Sequence, residues 1–169
     1  MRFGRTFFVI VLLICVFETV RLWTITPAQM AIHFDIAGNP NRFAAKEEFF
    51  GSAVETLLVV VGMGVILQVA VLITPVEWIN LRVPNREYWL APEHRDEVID
   101  RMSSFAAMLF GTILMGIQAG FELAVSANLH QPIVFKAGLM WAVVGGLFVV
   151  NGLLLFWLIT SFRVPSSNP

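Results

Sequence analysis

The chain has 169 residues, 57% of them hydrophobic and 14% charged, with a formal net charge of −1 and a mean hydropathy of +0.77. A composition this apolar excludes a water-soluble domain, and a charge this close to zero excludes recognition of nucleic acid or of a strongly anionic surface by electrostatics. What remains is an integral membrane protein.

A hydrocarbon core of about 30 Å takes about 20 apolar helical residues to cross. Four segments qualify, about 6–24, 53–74, 105–127 and 135–160. None alternates as a barrel strand does. The prediction is an all-α fold: one membrane domain over residues 1–169, a four-transmembrane-helix bundle with an extracytoplasmic lid loop and a cytoplasmic interfacial helix.

The amino end, Met1-Arg2-Phe3-Gly4-Arg5 followed by an apolar run, imitates a signal peptide. The run is long, ends in Glu18-Thr-Val-Arg21 and lacks a small-x-small site, so an uncleaved anchor is expected. Cys15 is the only cysteine, which excludes an intramolecular disulfide, and Ile14 before it argues against lipidation. Glu18 and Arg21, three apart, share a helix face in the outer half of this span.

The loop that follows, from about 25 to 52, carries Asp35, Gly38, Asn39, Pro40 and Asn41, a set with the chemistry of a turn. Phe34, Ile36, Phe43, Phe49 and Phe50 are too apolar for a free loop, so the segment should fold back on the bundle as a lid. His33 is its one side chain able to titrate near neutral pH. With Asp35, Glu47, Glu48 and the distant His130 it could complete a zinc or manganese site, although no spacing matches a dedicated metal motif.

In the second span Glu55 lies about two residues from the outer end and Gln68 in the inner half. The third span carries Gln118 and Glu122, four apart on one face, and Gly116 and Gly120 on the opposite one. Gly145-Gly146 and Gly152 of the fourth span are candidate neighbours for that glycine pair. Gln68 and Asn151, at similar depth, are expected to bond between helices. Glu18, Glu55 and Glu122 share one outer depth, and lipid exposure of a carboxylate there costs about 2–3 kcal/mol. Glu18, Arg21, Glu55, Gln118 and Glu122, beneath His33 and Asp35, are therefore the candidate ligand-binding cluster. The metal candidates are His33, Glu122 and His130.

Between spans two and three, Pro84-Asn85 is a turn, Tyr88 and Trp89 suit a membrane interface, and Ala91-Pro92-Glu93 begins a helix. Val98, Ile99 and Met102 form an apolar stripe on that helix, expected to lie on the inner membrane surface or under the bundle. Tyr88, Trp89, Glu93 and Arg95 are candidates for partner docking. Basic residues set the orientation: Arg2, Arg5, Arg82, Arg86, Arg95, Arg101 and Arg163 fall on one side, and Arg42, Lys46 and Lys136 on the other. The first side should be cytoplasmic, with both termini.

Pro27, His33-Phe34, Gly38-Asn39-Pro40 and Lys46 together resemble the first outer loop of the SdpI-like bacterial membrane proteins. Pro84-Asn-Arg-Glu-Tyr-Trp-Leu-Ala-Pro-Glu93 is similar to a stretch of short, uncharacterised members of that group, with Arg86 where lysine is usual. The group includes an immunity protein against a secreted toxin that also signals, and many relatives known only as a domain of unknown function. The resemblance implies a bacterial inner-membrane protein whose outer loop binds or senses something. The further spans of the longer, immunity-type members have no counterpart here.

Three functions remain open. The first is non-enzymatic binding of a ligand, peptide or second membrane protein through the outer loop, in immunity, sensing or assembly. The second is a metal- or carboxylate-dependent enzyme at the outer leaflet, using Glu18, Glu122 and His33. The third is a small proton-coupled transporter, which would ordinarily show inverted repeats and broken helices. The expected surroundings are the lipid bilayer, with no nucleic acid. No cofactor is called for beyond the candidate divalent metal.

Overall fold

The computed structural model describes residues 3–75 and 85–163. Its elements are α1 (Phe3–Ile25), β1 (Gln29–Phe34), β2 (Pro40–Ala45), α2 (Lys46–Ile73), the short α3 (Arg86–Leu90), a 3-10 turn (Pro92–His94), α4 (Arg95–Asn128) and α5 (Ala137–Ser161). Four of the helices are long and apolar enough to cross a membrane. The chain is a multi-pass membrane protein with an all-α membrane domain.

α4 is the spine on which α1, α2 and α5 all pack. Its 34 residues reach about 50 Å, well beyond the apolar core of a bilayer. α1 runs parallel to it, through Gly4 at Ser104, Gly111 at Phe7 and Thr19 at Gln118. A Cβ on Gly4 would lie 2.5 Å from the Ser104 carbonyl oxygen, so the two backbones meet there as only glycine permits. Phe8, Val11, Cys15, Leu57, Ala107, Phe110 and Leu114 form the core of this half. α2 and α5 run antiparallel to α4.

The expected glycine seam is half right. Gly116 and Gly120 do face α5, but they meet Leu147 and Met140, while Gly145, Gly146 and Gly152 face open space. Asn151 accepts from Thr112 Oγ1 on α4 at 2.9 Å, so it does not serve Gln68. α5 buries little besides Leu158.

At the end of the bundle where the chain starts and finishes lies the segment expected as an interfacial helix. Among the described residues it is α3, the 3-10 turn and the first turns of α4, which run on into the third span. Val98 and Ile99 are buried, and Trp89, Val98, Leu158 and Phe162 make a second core. Trp89 Nε1 donates to the Phe162 carbonyl at 2.6 Å, and Arg101 stacks over the Trp89 ring at 4.5 Å. Pro84 of the expected turn and the arginines at 2 and 82 lie outside the described residues.

At the other end, the segment expected as an irregular loop is a β-hairpin. β1 and β2 pair antiparallel from Gln29 with Ala45 to Phe34 with Pro40, with irregularities on either side of His33. The loop closes on Asp35: Asp35 N–H donates to the Asn39 carbonyl and Gly38 N–H to the Asp35 carbonyl, both at 2.9 Å. β2 runs straight into α2, whose first turn carries Glu47 and Glu48, favourably placed at the positive end of the helix dipole. Glu48 pairs with Arg42 at 2.6 Å.

Candidate functional site

One turn of α1 presents Glu18 and Arg21 toward α4. Arg21 Nε donates to Glu18, and its Nη2 donates to both oxygens of Glu122 at 2.8 and 2.9 Å. Gln118, one turn before Glu122, is buried and accepts from Thr19 Oγ1 at 3.5 Å, while its Nε2 has no partner among the described residues. Glu122 thus pairs with Arg21 and not with Gln118, its neighbour on the same helix face. Glu55 stands exposed on α2 and makes no ion pair with the triad.

Three links hold the hairpin over the helix ends. Met30 is fully buried against Leu22, Phe50 and Val125. Asn128, the last residue of α4, acts as a strand partner, accepting from Ala31 N–H at 2.6 Å and donating to the Ala31 carbonyl at 2.9 Å. Phe135 ties the tip to the entry of α5: its ring stacks on Phe34 at 5.0 Å and its N–H donates to the Gly38 carbonyl at 2.8 Å. Gly38 has φ of +87°, and a Cβ there would lie 2.3 Å from the Phe135 oxygen, so glycine is required twice over.

Under this roof lies a cleft of about 570 Å³. β1 and the loop after it supply residues 32–36, α4 supplies Ile117, Gly120, Phe121 and Ala124, and the α5 side supplies Phe135, Ala137, Met140 and Trp141. The size and the mostly apolar wall, with few polar groups, are those of a small-molecule site. His33 and Asp35 are its ionisable side chains, and Trp141 adds an indole N–H. His33 Nδ1 is 2.6 Å from Asn41 Oδ1. Asp35 accepts from Asn39 N–H at 2.8 Å and from Asn39 Nδ2 at 3.2 Å, bonds that hold its carboxyl below the usual range by stabilising the ionised form.

The expected cluster is therefore two sites. His33 and Asp35 line a cleft whose α4 wall is Gly120 and its neighbours, whereas Gln118 and Glu122 face α1. The metal candidates do not converge: Glu122 is held by Arg21, His130 Nδ1 bonds the Ser126 carbonyl at 2.8 Å, and His33 bonds Asn41. Among the described residues no three His, Cys, Asp or Glu side chains come together. Of the docking candidates, Trp89 is buried and Tyr88 stacks on His94 at 3.9 Å, while Glu93 and Arg95 are exposed. Sequence reasoning missed Asn128, Phe135, Met140 and Trp141. A polar residue closing a long apolar helix, and aromatics flanking the start of the next, are the signals that could have found them.

Residues 9–54 match a family model described as a domain of unknown function (DUF1648). The match takes in most of α1, the whole hairpin and the start of α2. No curated protein and no solved structure matches the chain.

Proposed function

We propose that this is a non-enzymatic, SdpI-like protein of the bacterial inner membrane that binds a ligand beneath its outward-facing hairpin. The observation that carries the reading is the cleft: an open, largely apolar hollow built jointly by the hairpin, α4 and the start of α5. The orientation follows the basic residues. Arg5, Arg86, Arg95, Arg101 and Arg163 gather where the chain starts and finishes, and Arg42, Lys46 and Lys136 at the hairpin end, so the termini are assigned to the cytoplasm. Enzymatic and proton-coupled readings would rely on Glu18 and Glu122, of which Arg21 holds one oxygen of the first and both of the second.

The motif residues favour a built roof over a mobile arm. Phe34 and Gly38 seat the tip on Phe135, Pro40 closes the ladder opposite Phe34, and Lys46 lies over the Trp23 ring at 4.6 Å. His33 is left facing the hollow. Native mass spectrometry of the protein extracted in mild detergent tests the proposal. The wild type should carry a bound amphiphile that Ala124→Trp, which fills the hollow, removes, while Leu153→Trp on the exposed face of α5 keeps it. Equal retention in both variants overturns it.

A further inference from the structure

We infer that the occupant of the cleft is an amphiphile with an apolar chain and a head group that donates hydrogen bonds without carrying net negative charge. The inference rests on the cleft being a binding site and concerns what it selects. Two neighbouring side chains set the chemistry of the rim. His33 Nδ1 meets Asn41 Oδ1 at 2.6 Å, so Nε2 is the ring nitrogen that this contact leaves unengaged. Each Asp35 oxygen receives one bond from Asn39, and the backbone of Ala37 and Gly38 further stabilises the ionised carboxyl, so Asp35 is the charged acceptor of the rim.

Of these two side chains, Asp35 accepts hydrogen bonds and bears a negative charge. No lysine or arginine lines the cleft. Lys136, the nearest in sequence, lines a separate hollow with His130 and Ser126. A phosphate monoester or other anionic head would meet Asp35 with no cation to offset the repulsion, whereas an ammonium or a polyol would find partners. The rest of the wall, Ile117, Phe121, Met140 and Trp141 among it, suits a hydrocarbon chain. Ile36 and Trp141, 97% and 71% exposed, leave the rim apolar toward its surroundings, which fits an occupant that arrives from the bilayer.

The test presents the full-length protein, in mild detergent, with equal amounts of phosphatidylethanolamine, phosphatidylcholine, phosphatidylglycerol and a monoglucosyl diacylglycerol sharing the same acyl chains. Bound lipid is read by native mass spectrometry. Phosphatidylethanolamine should be retained about tenfold over phosphatidylcholine, which has the same charge but no donor on its head, as expected for one lost charge-assisted bond. Phosphatidylglycerol should be the weakest. Retention of the glycolipid beside phosphatidylethanolamine supports recognition of any donor head, and retention of phosphatidylethanolamine alone supports recognition of ammonium. Asp35→Asn should flatten the preference while total lipid persists, and Gly120→Leu should abolish binding of all four. Equal binding of ethanolamine and choline lipids, or preference for phosphatidylglycerol, overturns the inference. If Gly120→Leu and Ala124→Trp leave total lipid unchanged, the cleft itself is not the site and the proposed function fails with it.

Discussion

Arg21 on α1 donates from a single nitrogen to both carboxylate oxygens of Glu122 on α4, and its Nε turns back to Glu18. One guanidinium thus serves two carboxylates between two parallel helices. Removing it leaves both acids without their shared partner at a depth where lipid is the alternative environment, so Arg21→Met should destabilise the bundle more than loss of either acid. Glu18→Gln should stay close to wild type, because it removes the surplus charge and keeps an acceptor. Adding Glu122→Gln to Arg21→Met should recover part of the loss, a non-additivity expected of groups in one network. Reversible unfolding in mixed detergent micelles gives the order, and equal losses for Arg21→Met and Glu18→Gln would sink the account.

This much of the site was legible because it is local. Glu18 with Arg21 and Gln118 with Glu122 follow from spacing on a helix, and their shared depth follows from counting. The sequence could not say on which side of α4 the hairpin would settle. That depends on Asn128 and Phe135, which lie 97 residues from each hairpin partner, Ala31 to Asn128 and Gly38 to Phe135. His33 and Asp35 were consequently placed above the carboxylates, although they line the opposite side of the spine. Trp89 misled for a similar reason. An amphipathic ring near a span end suits an interface, yet its N–H finds the Phe162 carbonyl and its face finds Arg101. The hairpin itself was masked by turn chemistry, since Asp35, Gly38 and Asn39 describe its tip and the strands are too short to show their alternation.

Gly38 should tolerate no side chain. Gly38→Ala forces a left-handed backbone on a residue with a Cβ and drives that Cβ into the Phe135 oxygen, for a cost of about 2 kcal/mol or more. The loss should be confined to the roof. Limited proteolysis should accelerate at the hairpin while the thermal transition of the bundle moves little, whereas unchanged proteolysis would mean the tip is not seated on Phe135. Gly120→Ala is the contrasting case, because its Cβ would lie 3.4 Å from the flexible Met140 Cε and should be accepted at less than about 1 kcal/mol.

Asn128 satisfies both backbone groups of Ala31 and also donates to the Ala124 carbonyl at 2.8 Å. Asn128→Leu fills similar space but leaves a buried N–H and C=O on β1 without partners, at about 2–3 kcal/mol. Hydrogen exchange should report it directly: the Ala31 amide, slow in the wild type, should exchange at least about tenfold faster, since a change of 1.4 kcal/mol is already a factor of ten. An unchanged Ala31 amide would show that β2 alone holds the strand.

Asp35 gives the roof a pH dependence whose sign can be worked out. Hydrogen bonds from Asn39, first from its backbone and then from its side chain, hold the folded carboxyl below its ordinary value of 3.8. Folding therefore favours the ionised form, and the contribution is fully present above that ordinary value. As pH falls through the lower, folded value, the carboxylate takes up its proton, the two bonds weaken and the contribution disappears. Asp35→Asn removes the titration and one of the acceptors, since its amide nitrogen cannot receive Asn39 Nδ2. Wild type should then resist hairpin proteolysis better than the variant near about pH 7, with the difference shrinking as the pH drops below about 4. An acid-stable protease such as pepsin can follow the lower range. A difference between the two proteins that stays constant down to the lowest pH would mean that the Asn39 bonds do not depend on the charge of Asp35.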